Sequence, residues 1–213
     1  YRWILLIISF KSSLIGRIDM NPELTDQQYN LIMKYRNQIS SDRSWGSDLP
    51  EKEFFKGMAM INPQSYGARV EKRIQEELGY SKIKSKEACG DILSPCGSKV
   101  EVKISLLTST NSGLNLVQLR LFQDVDYYLC VAYDCRDISK FNKYVFLLTH
   151  DEMVEETLNA TAAHGTSGVN ELNKNVELRM TVECDDYNPQ FVRWKNKYLK
   201  TSYSEVNECI QQK

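Results

Sequence analysis

Histidine is scarce in this sequence, since only His150 and His164 occur among its 213 residues. No Cys-x-x-Cys pair and no tight Cys/His cluster is present, so a zinc site is not expected. The sequence also has no Walker loop, no Gly-x-Gly-x-x-Gly and no Gly-x-Ser-x-Gly. These absences argue against nucleotide-driven chemistry, dinucleotide binding and the chemistry of serine hydrolases.

Neither sign of charge dominates, because 27 basic and 28 acidic residues leave a formal net charge of -1. Hydrophobic residues make up 42% of the chain and charged residues 26%, which is enough apolar material for a core and excludes a disordered chain. Proteins that bind nucleic acids are often basic throughout. Such a function would here require basic residues concentrated on one face.

The cysteine count is even, but the chain is too long and too rich in aliphatic residues to need disulfides. We therefore expect reduced thiols in a cytoplasmic protein at all six positions: Cys89, Cys96, Cys130, Cys135, Cys184 and Cys209. The longest apolar run near the start, residues 3–10, is too short to span a bilayer, and no membrane association is predicted. It fits a core strand, part of a signal peptide, or sequence upstream of Met20.

No internal repeat and no long linker divides the chain, which predicts a single domain. Apolar residues recur with helical spacing in several segments: 22–40, 51–58, 65–78, 114–124, 150–158 and 189–199. Other segments have the alternation or continuous hydrophobicity of strands: 88–93, 99–105, 126–133, 144–149 and 176–182. Residues 159–170 are predicted to be a loop of small residues.

The most informative stretch is Gly90-Asp91 followed by Glu101-Val102-Lys103. Glu101 and Lys103 are two apart on a predicted strand, so both side chains leave the same face. Cys96 lies midway between Asp91 and Glu101 in a predicted turn, and a hairpin folded there places the two carboxylates side by side. The two acids would repel each other, and a hard divalent cation would relieve that repulsion.

Magnesium is the cation that this donor set predicts, because Mg²⁺ takes oxygen ligands and accepts one or two carboxylates plus waters. The backbone carbonyl of Val102 could supply a third protein oxygen. Lys103 would stand beside the metal, to orient or deprotonate an attacking water or to stabilise charge on a phosphate. The other interpretation of the same alternation is a solvated sheet face. Two hydrophobic strands follow, which places the Glu101 strand near the sheet centre and favours a functional reason for its polar face.

Together these residues resemble the PD-(D/E)XK nuclease superfamily, in particular type II restriction endonucleases. The resemblance is carried by Ser65-Tyr66-Gly67-x-x-x-Glu71, Gly90-Asp91 and Glu101-x-Lys103-x-Ser105, with Gly90 where the motif has proline. It covers roughly residues 62–200 and leaves 1–61 as an N-terminal helical appendage. Segments 115–120, leading into 126–128, and 164–166 are also similar to segments of those enzymes.

The resemblance implies an α/β fold with a central mixed β-sheet flanked by helices. It further implies a metal site on Asp91 and Glu101, with Mg²⁺ or in its place Mn²⁺, Lys103 as the catalytic lysine and Glu71 as an auxiliary acid. The implied activity is hydrolysis of double-stranded DNA by a homodimer. Two alternatives stay open: a structure-specific repair or resolvase nuclease, and a catalytically silent DNA-binding module. The two histidines argue against a nuclease that relies on histidine and metal.

Several residues are candidates for DNA contact. Gln and Arg can bind phosphates or read purine edges, the small-residue loop suits close approach to a backbone, and a basic segment near the C-terminus can follow phosphates. The candidates are Ser105, Gln118, Arg120, His164, Thr166, Arg193, Lys195 and Lys197. Each has a structural alternative, either a solvated surface or, for the C-terminal segment, a helix whose Trp194 and Tyr198 belong to the core.

Overall fold

The structure of the protein is a computed structural model that describes residues 50–51, 54–55, 63–84, 89–108, 110–137, 141–160, 163–164, 167–168 and 177–212. The predicted helix 22–40 and the apolar run 3–10 lie outside these residues. Of the predicted helix 51–58, the described residues Glu51, Phe54 and Phe55 are helical. The further helices are α1 (Pro63–Leu78), α2 (His150–Asn159), α3 (Pro189–Tyr198) and α4 (Tyr203–Gln211).

Ten strands occur in the described part of the chain. They are β1 (Ser81–Lys82), β2 (Ile92–Leu93), β3 (Lys99–Leu107), β4 (Gly113–Leu119), β5 (Tyr127–Asp134), β6 (Asn142–Thr149), β7 (Ala163–His164), β8 (Ser167–Gly168), β9 (Leu178–Glu183) and β10 (Leu199–Lys200). No helix among the described residues is long and apolar enough to cross a membrane.

Six strands form a mixed central sheet in the order β1-β2-β3-β5-β6-β10. Strands β3 and β5 are parallel, and every other neighbouring pair is antiparallel. The hydrophobic strands β5 and β6 lie inside the sheet, as their continuous apolar sequence predicts, because both of their faces are covered. The predicted α/β fold with a central mixed sheet flanked by helices is confirmed.

The two faces of β3 bury different kinds of side chain. Val100, Val102 and Leu106 point into a core shared with α1 and α4, where Val70, Ile74 and Leu78 form the buried stripe of α1. Glu101, Lys103 and Ser105 point to the other face, as the alternation predicts. That second face is covered by β4, β9, α2 and α3, whose largest buried side chain is Trp194.

The predicted helix 114–124 is wrong. Its first half is strand β4, which pairs with β9 in a second sheet of order β4-β9-β7-β8, and a turn follows at 121–122. Leu114, Leu116 and Leu119 are fully buried against the central sheet, and this burial stabilises the strand. The predicted loop 159–170 is also partly wrong, because β7 and β8 form a short hairpin within it.

The ends of α1 follow simple rules. The helix begins at Pro63, a residue tolerated in the first turn, and ends before Gly79, which has φ +70.

Helix α4 was not predicted. Its Tyr203, Val206 and Ile210 complete the core over α1 and β3. The compact unit therefore continues past residue 200.

A buried carboxylate joins α2 to α3. Glu156 is 0% exposed and accepts hydrogen bonds from Arg193 Nε at 3.0 Å, Trp194 Nε1 at 2.9 Å and Tyr198 Oη at 3.1 Å. Burial favours the protonated acid, but the bonds from Arg193, Trp194 and Tyr198 outweigh it and lower the pKa of Glu156. The basic segment of α3 is thus tied to the core by Arg193.

We predict that Glu156→Gln lowers the free energy of unfolding by about 3 kcal/mol, because the neutral amide loses the charge-assisted bonds from Arg193 and turns an N–H group towards the buried donors around it. Arg193 is 37% exposed, so the lower end of the usual range applies. A lowered pKa stabilises the fold above the ordinary value of 4.5; the difference between the proteins should shrink as the pH falls below it. Urea denaturation measures both effects. Glu155→Gln, exposed on the same helix, is the control; equal losses in the two variants would contradict the assignment.

Candidate active site

A hairpin places Asp91 opposite Glu101. In its turn, the Ser94 and Ser98 main chains are joined by a hydrogen bond of 2.9 Å from the nitrogen of Ser94 to the oxygen of Ser98. Strand β2 pairs with β3 in a register that joins Ile92 to Val100, so the residue before Ile92 faces the one after Val100. The turn is centred on Cys96, as the spacing predicts.

Gly90 lets the chain approach β3 closely at this point. It has φ +94, and a Cβ there would meet the carbonyl oxygen of Val100 at 3.1 Å. The next nitrogen, that of Asp91, donates to the same Val100 oxygen at 3.0 Å. A side chain at position 90 would push Asp91 away from β3, which gives a physical reason for glycine where the motif has proline.

The Asp91 carboxylate lies along the edge of β3. Its Oδ2 accepts a hydrogen bond of 2.8 Å from the backbone nitrogen of Val102. Within an extended strand the N–H and C=O of one residue project to the same side, so the Val102 carbonyl also faces the Asp91 edge. Asp91 therefore accepts the Val102 N–H just beyond the part of β3 that β2 covers, and the Val102 carbonyl faces the same edge of the strand.

Glu101 and Lys103 form a largely buried ion pair on the polar face of β3. Lys103 Nζ donates to Glu101 Oε1 at 2.7 Å and to the backbone oxygen of Gln118 at 3.2 Å. The side chain of Lys103 is only 13% exposed and that of Glu101 only 12%. Charges removed from water to this extent require partners, and the structure supplies them from β3 itself and from β4.

The Glu101 carboxyl is shifted towards its protonated form although a lysine pairs with it. Burial raises the pKa of Glu101, and the nearby Asp91 carboxylate raises it further, while Lys103 and Arg120 lower it without cancelling the rise. Two acids and one lysine thus share a largely buried site, with Arg120 close enough to act on Glu101. A divalent cation between the carboxylates would relieve the repulsion between them.

Strand β5 lies beside β3 in the sheet and supplies the side chains next to Glu101 and Lys103. Tyr128 and Cys130 are the register partners of Glu101 and Lys103 and share their face. Burial raises the pKa of the Cys130 thiol to about 12, so it stays neutral. The hydroxyl of Tyr128 is buried and has no hydrogen-bond partner among the described residues. A buried donor without a partner beside Glu101 is a place where a water or a substrate oxygen can bind; sequence analysis missed it.

Strand β4 packs over the face of β3 that carries Glu101 and Lys103. Ser105 Oγ donates to the backbone oxygen of Asn115 at 3.2 Å and accepts from its nitrogen at 2.8 Å. Ser105 is 3% exposed, so this residue, predicted to contact DNA, instead joins β3 to β4. Gln118, with φ +53, is the single non-glycine residue with positive φ in the described ranges. That conformation costs about 1 kcal/mol.

Gln118 and Arg120 are not on the helix that their sequence suggests. Gln118 lies at an irregularity of β4 between Leu116 and Leu119. Arg120 follows the strand, is half-exposed and pairs with Glu177 at 2.6 Å. Its charge reaches Glu101 and lowers the pKa of that acid, so Arg120 lies at the rim of the site.

Glu71 stands apart from this constellation. Its helix α1 packs on the opposite face of the central sheet, and its carboxylate pairs with Lys82 Nζ at 3.0 Å. Among the described residues, no three His, Cys, Asp or Glu side chains converge closely enough to hold a metal. The auxiliary acid that the resemblance implies is therefore not brought to Asp91 and Glu101.

The remaining DNA-contact candidates are distributed differently. His164 belongs to β7, and Thr166 lies outside the described residues. Arg193 is engaged by the buried Glu156, and Lys195 pairs with Asp186 at 2.5 Å. Lys197 Nζ lies 5.8 Å from the Tyr198 ring centroid. Helix α3 thus has a structural role, with Trp194 and Tyr198 in the core as the alternative interpretation predicts.

Comparison with known proteins adds no family assignment. No protein-family model matches the chain, and no curated protein is significantly similar to it.

The six cysteines are all free, as predicted.

We predict that Glu101→Gln changes the pH dependence of stability in metal-free protein. A raised pKa means that the fold favours the protonated acid, so its stabilising contribution is complete below 4.5 and is lost as the pH rises through the folded-state pKa. The neutral variant escapes this loss. Its unfolding free energy relative to wild type should therefore increase between about pH 4 and pH 8.

Chemical denaturation in EDTA across this range measures the difference. Glu76→Gln, on the exposed face of α1, is the matched control and should show little change. A difference between Glu101→Gln and wild type that stays constant with pH, or moves the other way, would contradict the electrostatic description.

Proposed function

We propose that this protein is a magnesium-dependent endodeoxyribonuclease that hydrolyses phosphodiester bonds of DNA. One observation carries the proposal: the β2–β3 hairpin sets Asp91 opposite Glu101, and Lys103 Nζ lies 2.7 Å from the Glu101 carboxylate. A merely solvated strand face would be exposed, whereas these side chains are nearly buried. The donor set also fits Mg²⁺, which prefers carboxylate and carbonyl oxygens.

The residues that would hold the ion are Asp91, Glu101 and the carbonyl of Val102. When bound, Mg²⁺ neutralises phosphate charge and makes a water more acidic. The protein's own part is positioning. Asp91 is fixed by the Val102 N–H, and Glu101 is fixed by Lys103. The third N–H of the Lys103 ammonium donates to no described residue and can hold a water or a phosphate oxygen at the reacting centre.

Double-stranded DNA as the substrate follows from the resemblance and fits the charges around the site. The chain as a whole has almost no net charge, so attraction to phosphates must be local. Arg120 supplies such a local charge at the rim, where it is 38% exposed. Binding would show the salt dependence that phosphate contacts produce.

Among nucleases of this kind, a sequence-specific type II restriction endonuclease is the function we infer. Its homodimeric state stays a prediction, since it rests on the resemblance. Digestion of a fully sequenced plasmid separates the candidates. Discrete fragments support restriction, selective cutting at junctions or ends supports repair or resolution, and absence of cleavage supports a silent DNA-binding module.

We predict that Asp91→Asn and Lys103→Met each reduce the rate of DNA cleavage about a thousandfold or more. Metal and electrostatic contributions to such reactions are worth several kcal/mol, and each 1.36 kcal/mol is about tenfold. Asp91→Asn keeps the shape of the side chain and should lower the melting temperature little. Lys103→Met leaves the largely buried Glu101 without its cation and should lower the melting temperature more, so its folding is checked by circular dichroism before the assay. Plasmid cleavage in Mg²⁺ is the assay, and Lys72→Met, exposed on α1, is the control.

The same assay tests the metal requirement. Activity should need Mg²⁺ or Mn²⁺, and Ca²⁺ should support binding with little cleavage because it accepts looser geometry. Near wild-type cutting by Asp91→Asn, or full cleavage in excess EDTA, would refute the proposed function.

We further predict that Arg120→Ala weakens binding to DNA of any sequence and lowers the slope of log affinity against log salt by about one unit. The loss of one phosphate contact causes both changes. Fluorescence anisotropy in Ca²⁺ at several salt concentrations measures them without cleavage. Lys72→Ala provides a charge-matched control on the opposite face of the sheet. An identical slope in Arg120→Ala and Lys72→Ala would remove Arg120 from the binding surface.

A further inference from the structure

The irregularity in β4 lies next to the lysine of the site. Pairing with β9 follows a regular antiparallel register from Gly113 to Leu116 and resumes at Leu119 after a shift. The two intervening residues, Val117 and Gln118, are both exposed, and Gln118 has φ +53. Such a β-bulge inserts a residue into one strand and redirects the backbone groups beside it.

The redirected group is the backbone oxygen of Gln118, which accepts a hydrogen bond of 3.2 Å from Lys103 Nζ. Lys103 is thereby held at two points, by Glu101 on its own strand and by β4 above it. A lysine ammonium has three donors, and two fixed hydrogen bonds set the direction of the third. The bulge therefore determines where the free donor of Lys103 points.

Strand β4 is well anchored beside the bulge. Ser105 forms two hydrogen bonds to Asn115, and Leu116 and Leu119 are both fully buried. A regular strand could not bury both leucines, because three residues apart they would face opposite sides. Packing of the leucines is thus one reason for the bulge. Whether the bulge also positions Lys103 is a separate question, which substitutions at position 118 can test.

We propose that Gln118 is a positioning residue for Lys103, and that it acts through its backbone carbonyl, which the left-handed conformation turns towards the ammonium. This inference rests on the proposed function for its catalytic meaning. It replaces the role that the sequence suggests for Gln118, a side-chain contact to DNA. The requirement at position 118 is then a positive φ rather than a glutamine side chain.

The two roles predict opposite rankings of substitutions. Glycine and asparagine adopt positive φ readily, whereas the β-branched valine does not. If the carbonyl positions Lys103, Gln118→Gly and Gln118→Asn keep at least about tenfold more kcat than Gln118→Val, while KM is similar in all three. If the side chain binds DNA, Gln118→Gly and Gln118→Val lose affinity alike.

A second readout does not need cleavage. Lys103 is 13% exposed, and its ammonium donates two hydrogen bonds. Its acylation by an N-hydroxysuccinimide ester should therefore be slow in wild type and in Gln118→Gly. Peptide mass spectrometry measures the extent of acylation. Acylation should be several-fold faster in Gln118→Val. Val117→Thr keeps a β-branched residue on the same bulge and serves as the control, with wild-type acylation. If Gln118→Val does not fold, Gln118→Ala, whose side chain disfavours positive φ less, replaces it in both assays.

The combined outcomes are decisive for each claim separately. Equal acylation of Lys103 and equal kcat in the glycine and valine variants would overturn the positioning role, even if the wild-type protein cleaves DNA. The expected ranking in acylation, together with no cleavage by wild type under any metal, would retain the positioning role and refute the proposed function instead.

Discussion

The burial of a charged strand face is the constraint on which the rest of this structure depends. Strand β3 lies between β2 and β5 in the central sheet, yet one of its faces carries Glu101 and Lys103. Buried charges are costly unless they are paired and hydrogen-bonded. The partners come from two directions: Lys103 binds Glu101, and the bulge in β4 offers the Gln118 carbonyl to Lys103. Burial and the neighbouring Asp91 carboxylate raise the pKa of Glu101 despite the lysine, and a divalent cation between the two carboxylates would relieve their repulsion.

Much of this arrangement could be predicted from the sequence because it depends on local periodicity. Alternation along β3 fixes which residues share a face, and the midpoint of the turn at Cys96 fixes that Asp91 meets Glu101. Continuous hydrophobicity identified β5 and β6 as interior strands. The apolar spacing of α1, with Gly79 after its end, identified that helix. In each case a single physical rule decides the outcome without information from distant residues.

The failures have a common cause, which is long-range packing. Leu116 and Leu119 are three apart and both buried, a spacing that indicates a helix, but the bulge at Gln118 produces it within a strand. The basic segment of α3 suggests DNA contact, but its Arg193 instead pairs with the buried Glu156, which is distant in the sequence. Glu71 belongs to α1, which packs on the other face of the sheet, and its carboxylate pairs with Lys82. The Tyr128 hydroxyl, which has no partner in the described part of the chain, cannot be recognised from the sequence, since its burial depends on how the second sheet covers the first.

Direct measurement of metal binding tests the central claim most sharply, because it separates the ion site from cleavage. Titration with Mn²⁺, followed by electron paramagnetic resonance, reports bound and free ion in wild type and variants without DNA. We expect wild type to bind Mn²⁺, Asp91→Asn and Glu101→Gln to bind it at least about tenfold more weakly, and Lys103→Met to retain the site, since lysine is not a ligand. Equal binding by wild type, Asp91→Asn and Glu101→Gln would show that these carboxylates do not hold the metal and would contradict the account.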